Sequence, residues 1–299
     1  MADQAGTAPL ATRPLGRSGL DVPALGVGTN RWRQGSNDGA VLETYRALLD
    51  GGGGFLDTAE VYGFGKSERL IGDCIRKDGR RPLLATKFAP FIARTSERQL
   101  LGALDASLAR LGVDAVDLYY VHFPFPFASL NTFADGLAEA VRSGKARAVG
   151  VSNFSAEQMR RVADRLARAS VPLAANEVHY SLLHRQPETN GVLDACRELD
   201  VALVAYFPLA SGRLAAASPE GRPDPHAALR RALAEIAGAR QASVTQVALN
   251  WLRSRSPQVI PIPGASKAAH ARANLAALSW SLDAAELAAI DAALPPLRN

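Results

Sequence analysis

The chain has 299 residues, 47% of them hydrophobic and 21% charged, with a formal net charge of +5. This is ordinary globular usage with length enough for one full core. No Lys/Arg block marks a nucleic-acid footprint, and no apolar run approaches the roughly 18 residues of a membrane span. The two cysteines, Cys74 and Cys196, stand alone in helical stretches without Cys-x-x-Cys spacing, so a reducing, cytoplasmic setting is expected.

Residues 1–12 lack the charged and apolar regions of a signal peptide and read as a flexible tail. The stretch from Arg13 to Thr29 reads as a hairpin turning at Ser18-Gly19, followed by a first core strand over 25–29. Gly26-x-Gly28 lacks the third glycine of the dinucleotide fingerprint. A helix over 38–50 and a glycine loop follow, then Phe55-Leu56 breaking into Asp57 and, after a short loop, Tyr62.

Next come a helix over 67–77, which Ser67 could cap, and the strand ending at Lys87. Ser96-x-x-Gln99 predicts a capped helix to about Leu111, and the apolar run that follows ends at His122. A helix through Gly144 leads to the strand ending at Ser152-Asn153, and Ser155-x-x-Gln158 caps the next helix. A short strand around 174–178 carries Glu177, one helix covers 186–200, and the strand after it ends at Tyr206. The irregular stretch 211–226 precedes a helix over 227–239, one over 244–255 behind the capping box Ser243-x-x-Gln246, a last strand over 258–264, a helix through Asn274, and a terminal helix opened by Asp283-x-x-Glu286.

Polar, chemically capable residues therefore close short apolar runs roughly every 30 residues, about the length of one strand-helix unit. Eight strand candidates alternate with helices and no linker interrupts them. The expected fold is a single α/β domain spanning 1–299, a (β/α)8 barrel with an N-terminal β-hairpin and extra C-terminal helices.

Suppose Asp57, Tyr62, Lys87 and His122 converge at the C-terminal rim. A phenol titrates near 10 in water, and an ammonium within about 4–6 Å lowers that value. Asp57 would keep the lysine charged, and the histidine could hydrogen-bond a carbonyl oxygen. A tuned phenol beside a carbonyl suits hydride addition, whose alkoxide needs a proton. The hydride must come from a cofactor, since no side chain donates one.

These four residues, with DTAEVYG, ATKF, YVHF, GVSNF, AYFPLASG and IPIPGAS, resemble the aldo-keto reductase superfamily from about Arg13 to Leu294. The bacterial aldehyde or pyridoxal reductase-like branch is the most similar, through NEVHYSLLHR. The resemblance implies NADP(H) bound without a Rossmann domain and a small aldehyde or ketone as substrate, with no nucleic-acid or membrane partner. It implies Tyr62 as proton donor, Lys87 and Asp57 as its tuning pair, and His122 as substrate orienter. Gly28, Thr29, Asn30, Asp57, Ser152, Asn153 and Glu177 would contact the cofactor near the nicotinamide, and Tyr206 would stack on the ring. Phe207, Pro208, Leu209, Ser211 and Gly212 would line the pyrophosphate path. Gly264, Ser266, Lys267, His270 and Asn274 would hold the adenosine end.

The chain departs from the family pattern in three places. Glu177 stands where Gln is usual and, if ionised, would favour the oxidised cofactor. His270 replaces an Arg or Gln, which leaves Lys267 as the cation for a 2′-phosphate and NAD(H) or dual use as the alternative. Phe123 follows His122 where Trp is common; with Trp32 it is expected to line an apolar substrate pocket. His179 and His184 have no metal-ligand spacing, and no metal is expected. Two other readings are a redox-sensing regulatory subunit that binds cofactor without turnover, and a phosphate-handling isomerase or lyase on the same fold.

Overall fold

The computed structural model describes residues 10–33, 37–215 and 224–296. The predicted tail lies outside them as far as residue 9, as does 216–223 of the irregular stretch. A two-stranded antiparallel hairpin, β1 (Thr12–Pro14) and β2 (Asp21–Pro23), opens the chain. Eight parallel strands follow: β3 (Val27–Gly28), β4 (Phe55–Asp57), β5 (Leu83–Phe88), β6 (Val116–Val121), β7 (Ala146–Ser152), β8 (Leu173–His179), β9 (Ala202–Tyr206) and β10 (Val259–Pro261). They pair in sequence order. Gly26 and Gly28 donate to the carbonyls of Pro261 and Pro263 at 3.0 and 3.2 Å, which joins the first strand to the last and closes the barrel. The prolines suit this seam because only their carbonyls are used there, while the N–H of Ile262 between them donates to Ala205 O on the other side.

Helices α1 (Asp38–Asp50), α2 (Lys66–Asp78), α3 (Glu97–Leu111), α4 (Leu130–Arg142), α5 (Ala156–Ala167) and α6 (Val192–Leu199) follow β3 to β8 in turn. Two helices, α7 (Ala227–Ala239) and α8 (Val244–Ser254), follow β9; α9 (Ala268–Leu275) and α10 (Ala284–Ala293) end the described chain. The boxes at Ser96/Gln99, Ser155/Gln158, Ser243/Gln246 and Asp283/Glu286 all form, each satisfying two orphan N–H groups at a helix start.

Three local expectations differ. Ser67 is not a cap: α2 starts at Gly65 with φ +78°, and Ser67 is buried inside. The β8 strand runs seven residues, longer than its short apolar run suggested. The helix expected over 186–200 is split, with a single 3-10 turn at Gln186–Glu188 and then Gly191, whose φ of +79° starts α6 afresh.

Strand alternation sorts the barrel's interior from its mouth. Phe55, Ala85, Leu118, Tyr120, Ala148, Ala175, Val204 and Ile260 form an inner apolar cluster, closed from below by Leu15 and Val22 of the hairpin. Each large side chain buried this way contributes about 1.5–3 kcal/mol. Two residues further along the same strands, the same face presents Asp57, Lys87, His122, Glu177 and Tyr206. The core thus fixes the polar layer above it.

Candidate active site

The Lys87 ammonium is completely buried and donates to Asp57 Oδ1 and, at 2.9 Å, to the carbonyl of Thr58. It also lies 3.2 Å from Glu177 Oε2. Its Nζ stands 5.2 Å from the ring centroid of Tyr62 and 5.6 Å from that of Tyr120. Gly150 makes room for Tyr120, since a Cβ there would meet its ring at 2.7 Å. Burial alone would lower the lysine's pKa, but Asp57 and Glu177 outweigh it and hold the value above the ordinary one.

Tyr62 reaches this group from the loop after β4, which hydroxyls tie down. Thr29 donates its side-chain O–H to Asp57 O at 2.8 Å and lies 2.8 Å from Ser67 Oγ, while Thr58 donates to the same oxygen at 2.8 Å. The N–H of Ser67 donates to Tyr62 O at 3.2 Å. The phenol's pKa is raised, chiefly by burial, which outweighs the lowering by Lys87; Glu177 and Asp57 push it further up. This corrects the expected direction: Lys87 does lower the value, but desolvation wins in the ligand-free protein. The phenol is therefore protonated at neutral pH, as a proton donor must be.

The imidazole of His122 meets the Tyr62 ring edge-on, with centroids 5.9 Å apart. Its Nδ1 is buried without a partner. Burial, reinforced by the Lys87 charge, pushes its pKa down to about 3, so the ring is neutral at physiological pH.

Asp57, Tyr62, His122 and Glu177 line a cavity of about 480 Å³, with Lys87 buried behind them. Ser152 and Asn153 form its wall; Asn153 Nδ2 donates to His122 O at 3.1 Å and to Ser152 Oγ at 3.0 Å, and its Oδ1 accepts from the Tyr206 hydroxyl at 2.9 Å. Tyr206 is stacked on His179, centroids 5.4 Å apart, and His179 on His184 at 3.7 Å. Sequence reasoning gave these histidines no role; here they brace an aromatic wall. Beyond it the cavity follows Phe207, Pro208, Leu209, Ser211 and Gly212. Positive φ values at Phe207, Ala210, Ser211 and Gly212 curl this segment, the kind of backbone that presents N–H groups to an anion. Gly28, Asn30, Asp57, Glu177, Gly264, Ser266 and His270 also line the cavity, together with Arg31, Ile262 and Pro263, which sequence reasoning missed. Ile262 and Pro263 carried a signal, since they immediately precede Gly264; Arg31 carried none.

Five residues expected to make contacts do not line this cavity. Thr29 is spent on the hydroxyl cluster. Trp32 is buried and donates its indole N–H to Ala265 O at 2.7 Å, anchoring the first rim loop instead of facing substrate. Lys267 is exposed at the start of α9, and Asn274 is buried within that helix; neither lines the cavity. Phe123 stands outside it, on the rim beside His122 and Phe91, at centroid distances of 5.8 and 6.1 Å. Among the described residues no cluster of three or more His, Cys, Asp or Glu could hold a metal, and no helix is long and apolar enough to cross a membrane.

The family model for the Aldo/keto reductase family matches residues 24–295. The chain belongs to that family. Among aldo/keto reductases it is 33% identical over 296 residues to the chloroplastic pyridoxal reductase of Arabidopsis thaliana, covering 88% of this chain and 80% of that one. It is 36% identical over 276 residues to the 6-dehydroglucose reductase of Novosphingobium aromaticivorans, covering 87% and 88%. An aldo-keto reductase from Klebsiella pneumoniae, solved in complex with NADPH, superposes with a TM-score of 0.81 at 31% identity, covering 96% of both chains. The thermostable aldo-keto reductase Tm1743, solved with the inhibitor epalrestat, also gives 0.81 at 34% identity, covering 95% of this chain and 100% of that one.

Proposed function

We propose that this aldo/keto reductase converts an aldehyde or ketone to the alcohol using NADPH, with Tyr62 as the general acid. One observation carries the reading: a buried ammonium, Lys87, is held by Asp57 beneath a protonated phenol whose ring meets a neutral imidazole on the wall of the cavity.

The residues present fit a dinucleotide. Asn153 and Ser152 offer amide and hydroxyl groups for a carboxamide, Tyr206 offers a braced ring for stacking, and the curled segment 207–212 suits a pyrophosphate. At the far end Ser266 and His270 line the cavity near the start of α9, where helix N–H groups favour a phosphate. When bound, NADPH supplies the hydride. His122 donates a hydrogen bond that orients the carbonyl oxygen, and Tyr62 gives that oxygen its proton as charge develops there. Lys87 stabilises the phenolate left behind, and Asp57 favours the charged form of Lys87.

Beyond His122 the rim is apolar: Phe123 and Phe91 pack edge to face, and Phe64, Ile92 and Phe127 are exposed. This wall supports carbonyls with an aromatic or bulky apolar arm. The test is a panel of aldehydes and ketones, pyridoxal and aromatic aldehydes included, assayed for NADPH and NADH oxidation side by side. Aldehyde-dependent oxidation favouring NADPH is expected; nucleotide binding without turnover on any carbonyl would contradict the reading.

A further inference from the structure

Two carboxyl groups share one ammonium in a buried site. Asp57 is 1% exposed, Glu177 2% and Lys87 0%, and Lys87 Nζ contacts both acids. Among the described residues Lys87 is the cation seen in ion-pair contact with the two acids, and Arg31 shares the cavity wall with them; the other titratable neighbours add no positive charge. They are Tyr62, Tyr120 and Tyr206, all neutral phenols, and His122, whose imidazole is neutral. Two full negative charges opposite one positive charge would leave an uncompensated carboxylate in the interior, which proteins avoid by taking up a proton.

The hydrogen bonding points to where that proton sits. Asp57 Oδ2 and Glu177 Oε2 are both buried; neither makes a well-formed hydrogen bond, and Oε2 has only the ion-pair contact with Lys87 at 3.2 Å. Two ionised carboxylates cannot satisfy each other, because both only accept. One proton between the acids satisfies them together, as in other carboxyl pairs that cannot both ionise. Lys87 donates a hydrogen bond to Asp57 Oδ1 but stands 3.2 Å from Glu177 Oε2 without forming one, so Asp57 is the better-served carboxylate and Glu177 is the acid.

We propose that Glu177 is a proton store: a neutral carboxylic acid that donates to Asp57 and gives up its proton when an oxidised nicotinamide dinucleotide occupies the cavity that Glu177 lines. Burial, together with the Asp57 charge, holds the Glu177 carboxyl well above the usual carboxylate range, in keeping with this state. An uncharged Glu177 presents a carboxyl much like the carboxamide of a glutamine, and a pyridinium ring in the cavity restores its reason to ionise. On binding the oxidised cofactor to the free enzyme, the Glu177 O–H bond breaks and the proton passes to buffer. During carbonyl reduction the same proton refills the acid: Lys87 gives a proton to the Tyr62 phenolate and takes one from Glu177. No electrons move beyond the hydride pair already delivered to carbon. This account rests on reading the cavity as a dinucleotide site only for the trigger; the protonated acid itself does not depend on that reading.

The test has two arms. Infrared spectra of the ligand-free protein at neutral pH should contain the carbonyl stretch of a protonated carboxylic acid, and Glu177→Gln should remove it. Second, calorimetry of NADP+ binding in two buffers of different ionisation enthalpy should show release of close to one proton, and affinity for NADP+ should rise with pH by up to about tenfold per unit. NADPH should show neither effect, and Glu177→Gln should abolish both. A wild-type spectrum without the acid band, or a band untouched by Glu177→Gln, overturns the proposal; so does NADP+ binding without proton release while the band is present. Should Glu177→Gln fail to fold, the wild-type band and proton count decide alone. Failure of either nucleotide to bind would instead overturn the proposed function, and the band would still decide the charge state of Glu177.

Discussion

The phenol of Tyr62, on the loop after β4, and the imidazole of His122, just past the end of β6, meet edge to face across the end of β5, with ring centroids 5.9 Å apart. One ring is a protonated donor and the other a neutral one, and both conditions trace to burial over the apolar floor of the barrel. A carbonyl oxygen received between them is offered two hydrogens and no competing base.

His122 makes stability depend on pH. Its pKa is depressed in the fold to about 3, so between that value and the unfolded value near 6.5 the unfolded chain binds more protons. The contribution is full above about pH 6.5 and is lost as pH falls, at about 1 kcal/mol per unit or less. Because His179 and Glu177 titrate with shifted values as well, the comparison is between variants: in urea unfolding from pH 7 to about pH 5 the wild type should lose stability relative to His122→Asn.

Lys87→Met should reverse the sign. Without the ammonium, Asp57 and Glu177 are buried acids with no counter-charge, and removing one partner of such a group costs about 3–5 kcal/mol at neutral pH. Burial already raises both carboxyl pKa values, and loss of the ammonium that lowers them raises them further, so stability is present below the unfolded value near 4 and lost as pH rises. The variant should therefore unfold at lower urea at pH 8 than at about pH 5. A variant insensitive to pH would show that the acids are solvated.

Asn153 separates backbone from side chain. Its φ of +62° suits Asn or Gly, and its amide links His122, Ser152 and Tyr206. Asn153→Ala and Asn153→Gly should weaken NADPH binding to a similar degree, about tenfold for the lost hydrogen bonds. Asn153→Gly should be the more stable of the two by about 1 kcal/mol, because only alanine meets the left-handed penalty. Fluorescence titration and thermal melts give both readings.

Phe123 tests the apolar rim. Phe123→Ala removes a wall that touches both His122 and Phe91. It should raise KM for aromatic aldehydes by about tenfold, the worth of one lost aromatic contact, and leave small aliphatic aldehydes nearly unchanged. An equal change for both substrate classes would place the substrate arm elsewhere.

Much of this was legible because it is local. Capping boxes need only four consecutive residues, and all four predicted ones form. The polar layer was legible because strand alternation is local too: once Phe55 and Ala85 face inward, so do Asp57 and Lys87. What the sequence withheld was tertiary. Ser67 has the composition of a cap, yet its hydroxyl is held by Thr29 and Thr58 from two other segments. Trp32 reads as a rim aromatic until Ala265, far along the chain, supplies an acceptor for its indole. The charge balance at Lys87 needed coordinates as well, because no spacing reveals that one ammonium serves two acids.

The central claim is that Tyr62 delivers the proton, and Tyr62→Phe tests it most directly. The ring, its edge contact with His122 and the cation over its face can persist, while the hydroxyl alone is lost. Carbonyl reduction with NADPH should fall by about 10²–10⁴-fold, the usual worth of a positioned acid, with NADPH affinity within a few-fold of wild type. Turnover that survives in Tyr62→Phe at near wild-type rate would contradict the account.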